Sequence, residues 1–203
     1  MARPRLHDLD ALLDAAETLL AEGDDRAVTI RAVAQRAGAS SGSLYHAFGS
    51  RNELLGRLWL RAARRFLALQ AVAVDAELAA GEGWDAGVEA TVVAALTLRD
   101  LRAASAPTAD VLIRHRREAL IDEGLPEELA AELRALDADL LGVLRRLADA
   151  LFGLHDRRAV ETVAVCVVDL PSALLDGRRE RLIDPAATLA AAVRGVLEDA
   201  RAA

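Results

Sequence analysis

Along this 203-residue chain the apolar positions recur at helical rather than strand spacing. Leu9, Leu12, Leu13, Ala16, Leu19 and Leu20 form one stripe and predict a helix over 8–22, with Asp8 and Asp10 at its positive end and Gly23 after it. Ile30, Val33 and Ala34 predict a short second helix, N-capped by Thr29 and stopped at Gly38, where a residue without a Cβ takes positive φ at no steric cost. The next piece, Ser40-Ser41-Gly42-Ser43-Leu44-Tyr45-His46, is almost wholly polar. Its apolar pegs are Leu44 and Phe48, so a helix here is pinned on one side and shows its other side chains outward. Ser50-x-x-Glu53 is a capping box that starts a long helix over 51–80, with Leu54, Leu55, Leu58, Phe66, Leu69, Val72 and Ala76 on its apolar face.

The same spacing predicts helices over 84–103, over 108–121 after the break at Pro107, and over 126–152 with Pro126 near the first turn. Two more follow at 157–176, kinked by Pro171, and at 185–201. Both look apolar on more than one face, so they are either buried within the monomer or packed against a second copy. The predicted fold class is all-α: an N-terminal three-helix domain with a helix-turn-helix over residues 1–50, then a C-terminal helical domain over 51–203. The composition agrees, since 53% of residues are hydrophobic but only 3% aromatic.

Helix, glycine turn and outward polar helix make a helix-turn-helix, whose second helix enters the DNA major groove. By chemistry, Ser41, Ser43 and Tyr45 face base edges or nearby phosphates, and Gly42 allows close backbone approach. Thr29, Ser40, His46 and Arg51 suit phosphate contacts, which set register without reading sequence. The segment carries no Asn, Gln or Arg for bidentate base contacts. Sequence choice then leans on DNA shape, on Tyr45 against a thymine methyl, and on Arg31 or Arg36 at the margin. The plainer alternatives are a half-buried core aromatic for Tyr45 and a surface histidine without a ligand for His46.

Charge sharpens the picture. The 25 basic residues are all arginine, and eight of them fall in residues 26–65 against the single acid Glu53. That stretch therefore carries +7 in a chain of net −7, leaving −14 on the remainder. A basic patch on an acidic body suits local phosphate binding. Arg3 and Arg5 flank Pro4 ahead of the first helix, as in arms that lie along DNA. The lone Cys166 allows no intrachain disulfide and fits a reducing cytoplasm. The N-terminus does not read as a signal peptide, and no apolar run approaches the roughly 20 residues of a membrane helix. Four scattered histidines (7, 46, 115 and 155) and one cysteine give no catalytic constellation, no metal-spaced cluster and no cofactor motif.

From about residue 8 to 65 the chain resembles the DNA-binding domain of the tetracycline-repressor (TetR) family. The resemblance rests on Ala15-Ala16, Leu19, Gly23, Thr29-Ile30, Val33-Ala34, Ala37-Gly38, Ser43-Leu44-Tyr45-His46, Phe48 and Ser50-Arg51-x-Glu53-Leu54. Arg51 stands where the family usually has Lys, and Ala39 where it usually has Val. The resemblance implies a homodimeric, ligand-released repressor acting on a palindromic operator. It also implies a small-molecule cavity in the body, here drawn from Leu69, Trp84, Val88, Thr91, Leu96, Ile113, His115, Leu140 and Leu144. A dimer interface on the last two helices would then use Val160, Val163, Val167, Leu174, Leu189, Val193, Val196 and Leu197. The competing classes are a helical interaction module that has lost DNA binding and, least favoured by the residues, an all-α enzyme.

Overall fold

The computed structural model describes residues 9–23, 25–122, 124–154, 156–174 and 184–202. The arm bearing Arg3 and Arg5, together with Asp8, Asp24 and His155, lies outside the described residues. Among the described residues every regular element is helical. In order they are α1 (Leu9–Glu22), a 3₁₀ turn (Asp25–Ala27), α2 (Ile30–Ala37), α3 (Ser41–Phe48), α4 (Arg51–Ala80) and α5 (Gly83–Ala104). Then come α6 (Ala106–Arg114), α7 (Arg117–Asp122), α8 (Glu127–Phe152), α9 (Arg157–Ala164), a π-helical turn (Val165–Asp169), α10 (Leu170–Leu174) and α11 (Pro185–Ala202). Packing divides the chain into two compact units, Met1–Ala63 with Ser105–Ala135, and Arg64–Ala104 with Leu136–Ala203.

In the first unit, Leu12, Ala16 and Leu20 of α1 meet Val33 of α2, Leu44 and Phe48 of α3, and Leu54 and Leu58 of α4. Helices this short bury little apolar surface by themselves. Val111 of α6 and Leu120 of α7 extend the same core. Gly56 makes room for α8, since a Cβ there would stand 3.1 Å from the side chains of Leu125 and Leu129. Arg61, itself mostly buried, ties α4 to α1 through Asp14 (2.8 Å) and Glu17 (2.9 Å), and the Thr108 hydroxyl donates to Glu17 at 3.2 Å.

The helix predicted over 108–121 is two helices. At the break, His115 is extended (φ −113°, ψ 128°). The Trp59 indole N–H donates to the His115 carbonyl, and the Asn52 amide to the Leu120 carbonyl, each at 3.0 Å. Carbonyls in a helix's last turn lack intrahelical donors, and α4 supplies donors from two residues a whole number of turns apart.

In the second unit, Val74 of α4, Val92 and Ala95 of α5, and Leu144, Leu147 and Leu151 of α8 enclose one core with the C-terminal helices. The kink expected at Pro171 takes the form of the π turn, in which the Leu170 N–H bonds the Val165 carbonyl. Proline at 171 has no N–H for the carbonyl four residues before it, and the wider turn absorbs the loss. Here the interface assignment needs correction. Val163, Leu189, Val193 and Leu197 are 0% exposed and Val167 is 5% exposed within the single chain. Their surfaces are already spent on this unit's own core, so they have none to offer a second copy. Val160, Leu174 and Val196 are half-buried on the same helices.

Candidate nucleic-acid interface

The turn between α2 and α3 is built by local chemistry. The Thr29 hydroxyl accepts the Ala32 N–H at 3.1 Å and starts α2. Gly38 ends it at φ 64°, with its N–H turned to the Ala34 and Gln35 carbonyls. An L-residue with a Cβ would be strained there. Ser40 then caps α3, its hydroxyl accepting the Ser43 N–H at 3.1 Å and sharing a hydrogen bond with the Ser43 hydroxyl at 2.8 Å.

α3 is pinned by Leu44 and Phe48, both 0% exposed and one turn apart. Ser41, Gly42, Ser43, Tyr45 and His46 turn away from that core, and of these Tyr45 is 59% exposed. Ser41 and Tyr45 share one stripe of the helix, and Gly42 and His46 the next. The half-buried core aromatic is therefore ruled out for Tyr45. A Cβ at Gly42 would meet only the Ser40 hydroxyl, at 3.8 Å, so packing within the chain does not demand glycine there. Ser50 caps α4 by accepting the Glu53 N–H at 3.0 Å, while the Glu53 carboxylate turns to Arg57 at 2.8 Å. Arg51 is exposed, but its Nε donates to the Val28 carbonyl at 2.8 Å, which fixes the entry to α2.

The arginine patch offers less free positive charge than its count suggests. Arg36 pairs with Glu22, Arg57 with Glu53, and Arg61 with the acids of α1. Arg26, Arg51, Arg64 and Arg65 are also engaged. Arg31, exposed in the first turn of α2, has no partner among the described residues, and the exposed Gln35 follows one turn later. Of the two marginal candidates, Arg31 is thus the available one. Sequence spacing alone does not separate them, since neither Arg31 nor Arg36 has an acid three or four residues away and the partner of Arg36, Glu22, lies 14 positions off.

The residues assigned to a body cavity are divided between the two units. Ile113 and His115 belong to the first unit and the other seven to the second. Thr91, Leu96 and Leu144 are buried, and the Thr91 hydroxyl is satisfied by the Gly87 carbonyl at 2.8 Å. Leu140 packs on the core and Leu69 is half-buried. A groove of about 630 Å³ opens in that unit between α4 and α8, floored by Leu67, Ala71, Gly142 and Val143 and flanked by Arg64, Asp139 and Arg146. Trp84 and Val88 instead line a smaller pocket of about 220 Å³.

Cys166 is fully buried, and burial pushes its thiol up to about 12, so it packs as a small hydrophobe at neutral pH. Among the described residues there is no group of three or more His, Cys, Asp or Glu placed to hold a metal ion. None of the described helices is long and apolar enough to cross a membrane.

Residues 12–58 match the family described as bacterial regulatory proteins, tetR family. The chain therefore carries the N-terminal, DNA-binding domain of that family, over the segment that holds α2, α3 and their supports. No curated protein matches the chain. Solved structures share its fold over nearly the whole length. A tetR-family bacterial regulatory protein from Rhodococcus RHA1 is 16% identical with a TM-score of 0.62, covering 97% of each chain. The tetR-family transcriptional regulator PfmR from Thermus thermophilus is 19% identical with a TM-score of 0.60, covering 92% of this chain and 97% of its own. The transcriptional regulator FadR from Bacillus subtilis, in complex with stearoyl-CoA, is 17% identical with a TM-score of 0.59, covering 94% and 96%.

Proposed function

We propose that this protein, with its tetR-family DNA-binding domain, is a cytoplasmic transcriptional repressor that binds a palindromic operator as a homodimer and lets go when a small molecule occupies its second unit. The observation that carries the reading is α3: a capped helix held by two buried side chains whose remaining face is polar and turned outward. A face of that kind has no use in a core and matches the groove floor of DNA. Ser41, Tyr45 and Gly42 meet the bases or the backbone beside them. Thr29, Ser40, His46 and Arg31 meet phosphates.

Reading a two-fold site requires two heads at fixed separation. The outer sides of the C-terminal helices supply a surface for the second copy. Val165 is 39% exposed there, and Ala187, Ala191 and Gly195 are exposed on α11. The effector enters the groove between α4 and α8. Release follows from linkage: a ligand that prefers one body conformation weakens DNA by as much as DNA weakens the ligand, typically about 5- to 150-fold. The element that transmits this is α4, whose residues are divided between the two compact units.

The test is selection from random duplex DNA, then titration of the selected site across salt concentrations, with footprinting and sedimentation of the protein alone. A two-fold footprint, a steep salt slope and a dimer are expected. Sequence-blind, salt-independent behaviour would identify a helical interaction module instead.

A further inference from the structure

The second unit holds a pocket for which DNA reading has no use. It encloses about 220 Å³ and is lined by Trp84, Asp85, Val88, Glu89, Arg194 and Glu198. Asp85 and Glu89 lie one turn apart on α5, and Arg194 and Glu198 one turn apart on α11, so each helix turns one such pair toward the pocket. Arg194 is committed to Glu89, its Nη2 standing 2.8 and 2.7 Å from the two carboxylate oxygens. Asp85 and Glu198 have no bonding partner among the described residues. The lining therefore sets three carboxylates against one guanidinium.

The indole of Trp84 is fixed in place. Phe152 meets it edge-on, with ring centroids 5.6 Å apart and planes at 70°. Over the same ring lies the guanidinium of Arg201, its central carbon 4.8 Å from the centroid. Arg201 sits in the last turn of α11 and is exposed, so solvent competes with the ring for it. The aromatic face is thus already occupied by a cation, one that solvent can readily claim. An aromatic face with carboxylates beside it attracts a cation through the ring quadrupole and through direct charge, and both act more strongly as the cation sheds water.

We propose that this pocket binds a small organic monocation of the guanidinium or alkylammonium class, and that Arg201 is its tethered competitor. Trp84 supplies the face, Asp85 and Glu198 the countercharge, and Val88 the apolar floor. Arg194 keeps the Glu89 carboxylate engaged, so Glu89 is not counted among the ligand's countercharges. The inference stands whether or not the chain binds DNA, and its test uses none.

The full-length protein is titrated calorimetrically with 1-butylguanidinium, and with 1-butylurea as a neutral control of nearly the same shape. Saturable binding of one equivalent of butylguanidinium, weakening with salt, is expected, with no binding of butylurea. Arg201→Ala removes the competitor and should tighten binding about two- to fivefold. Glu198→Gln should weaken it, and Trp84→Leu should abolish it. Glu198 and Arg201 are both exposed, so those two variants decide the matter even where Trp84→Leu unfolds. Equal binding of the urea, absence of saturation, or an Arg201→Ala variant that binds no better than the unaltered protein would overturn the proposal.

Discussion

α3 and α11 each bury a few side chains and leave a long outer face, and they finish that face in opposite ways. α3 is anchored by Leu44 and Phe48 and presents serines, a glycine, Tyr45 and His46. α11 is anchored by Leu189, Val193 and Leu197 and presents Ala187, Ala191 and Gly195. The inward residues of the two are interchangeable in kind. The outward ones are not: hydroxyls and an aromatic tip exchange hydrogen bonds with a polar partner, while a face with little or nothing beyond Cβ allows another helix to come close. What a helix does not bury says more about its use than what it does.

The hardest way to break this contrast is to confuse anchor with reader. Phe48→Ala empties a fully buried site and should cost about 3–5 kcal/mol, much of what holds a domain of this size together. Tyr45→Ala, close by on the same helix but exposed, should change stability by no more than about 0.5 kcal/mol while weakening operator binding. Thermal denaturation by circular dichroism, run beside DNA titrations, separates the two. Comparable losses of stability would mean that Tyr45 is part of the core and that α3 has no free face.

The same contrast explains how far the sequence can be read. Around α2 and α3 the signals are local. A threonine cap, a glycine at positive φ and the Ser50 cap of α4 each act over three or four residues, and each stands in the structure where the pattern puts it. In the body the signals are periodic only. Periodicity tells that Thr91, Leu144 and Leu197 face inward, but not which neighbour they face, so it cannot keep a core residue apart from a cavity wall or an interface. The break at His115 is illegible for the same reason: its carbonyl is captured by Trp59, 56 positions away. The π turn is legible only as a kink, because Pro171 announces a missing donor without saying how the backbone absorbs it.

A milder test moves the comparison to polar groups. The hydroxyls at the start of α3 bond each other at the surface, whereas Gln70 is 0% exposed in the second unit. Its Nε2 donates to the Ala94 carbonyl at 3.0 Å, and its Oε1 has no partner among the described residues. A buried acceptor left unpaired costs roughly 1–3 kcal/mol. Gln70→Leu keeps most of the volume and removes the orphan, so it should raise stability by about 1 kcal/mol in urea denaturation. Gln70→Ala leaves a cavity and should lower it. If Gln70→Leu is clearly destabilising, the amide is satisfied in solution and the body is no less tolerant of buried polarity than the head.

The smallest expected effect bears on the charge patch, where counting arginines and seeing their partners disagree. Arg31 and Arg57 contribute equally to the +7 of residues 26–65. In the structure Arg57 is held by Glu53, while Arg31 is exposed with no partner among the described residues. Each phosphate neutralised adds about 0.9 to the slope of log affinity against log salt, because it releases condensed counterions. A guanidinium already paired with a carboxylate displaces few. Arg31→Ala should therefore lower the magnitude of that slope by about 1 and leave the melting temperature unchanged. Arg57→Ala should leave the slope alone and cost at most about 0.5 kcal/mol of stability from a partly exposed pair. Equal slope changes for the two variants would show that Glu53 gives up Arg57 when DNA arrives. The count, rather than the pairing, would then be the better guide to what the patch can bind.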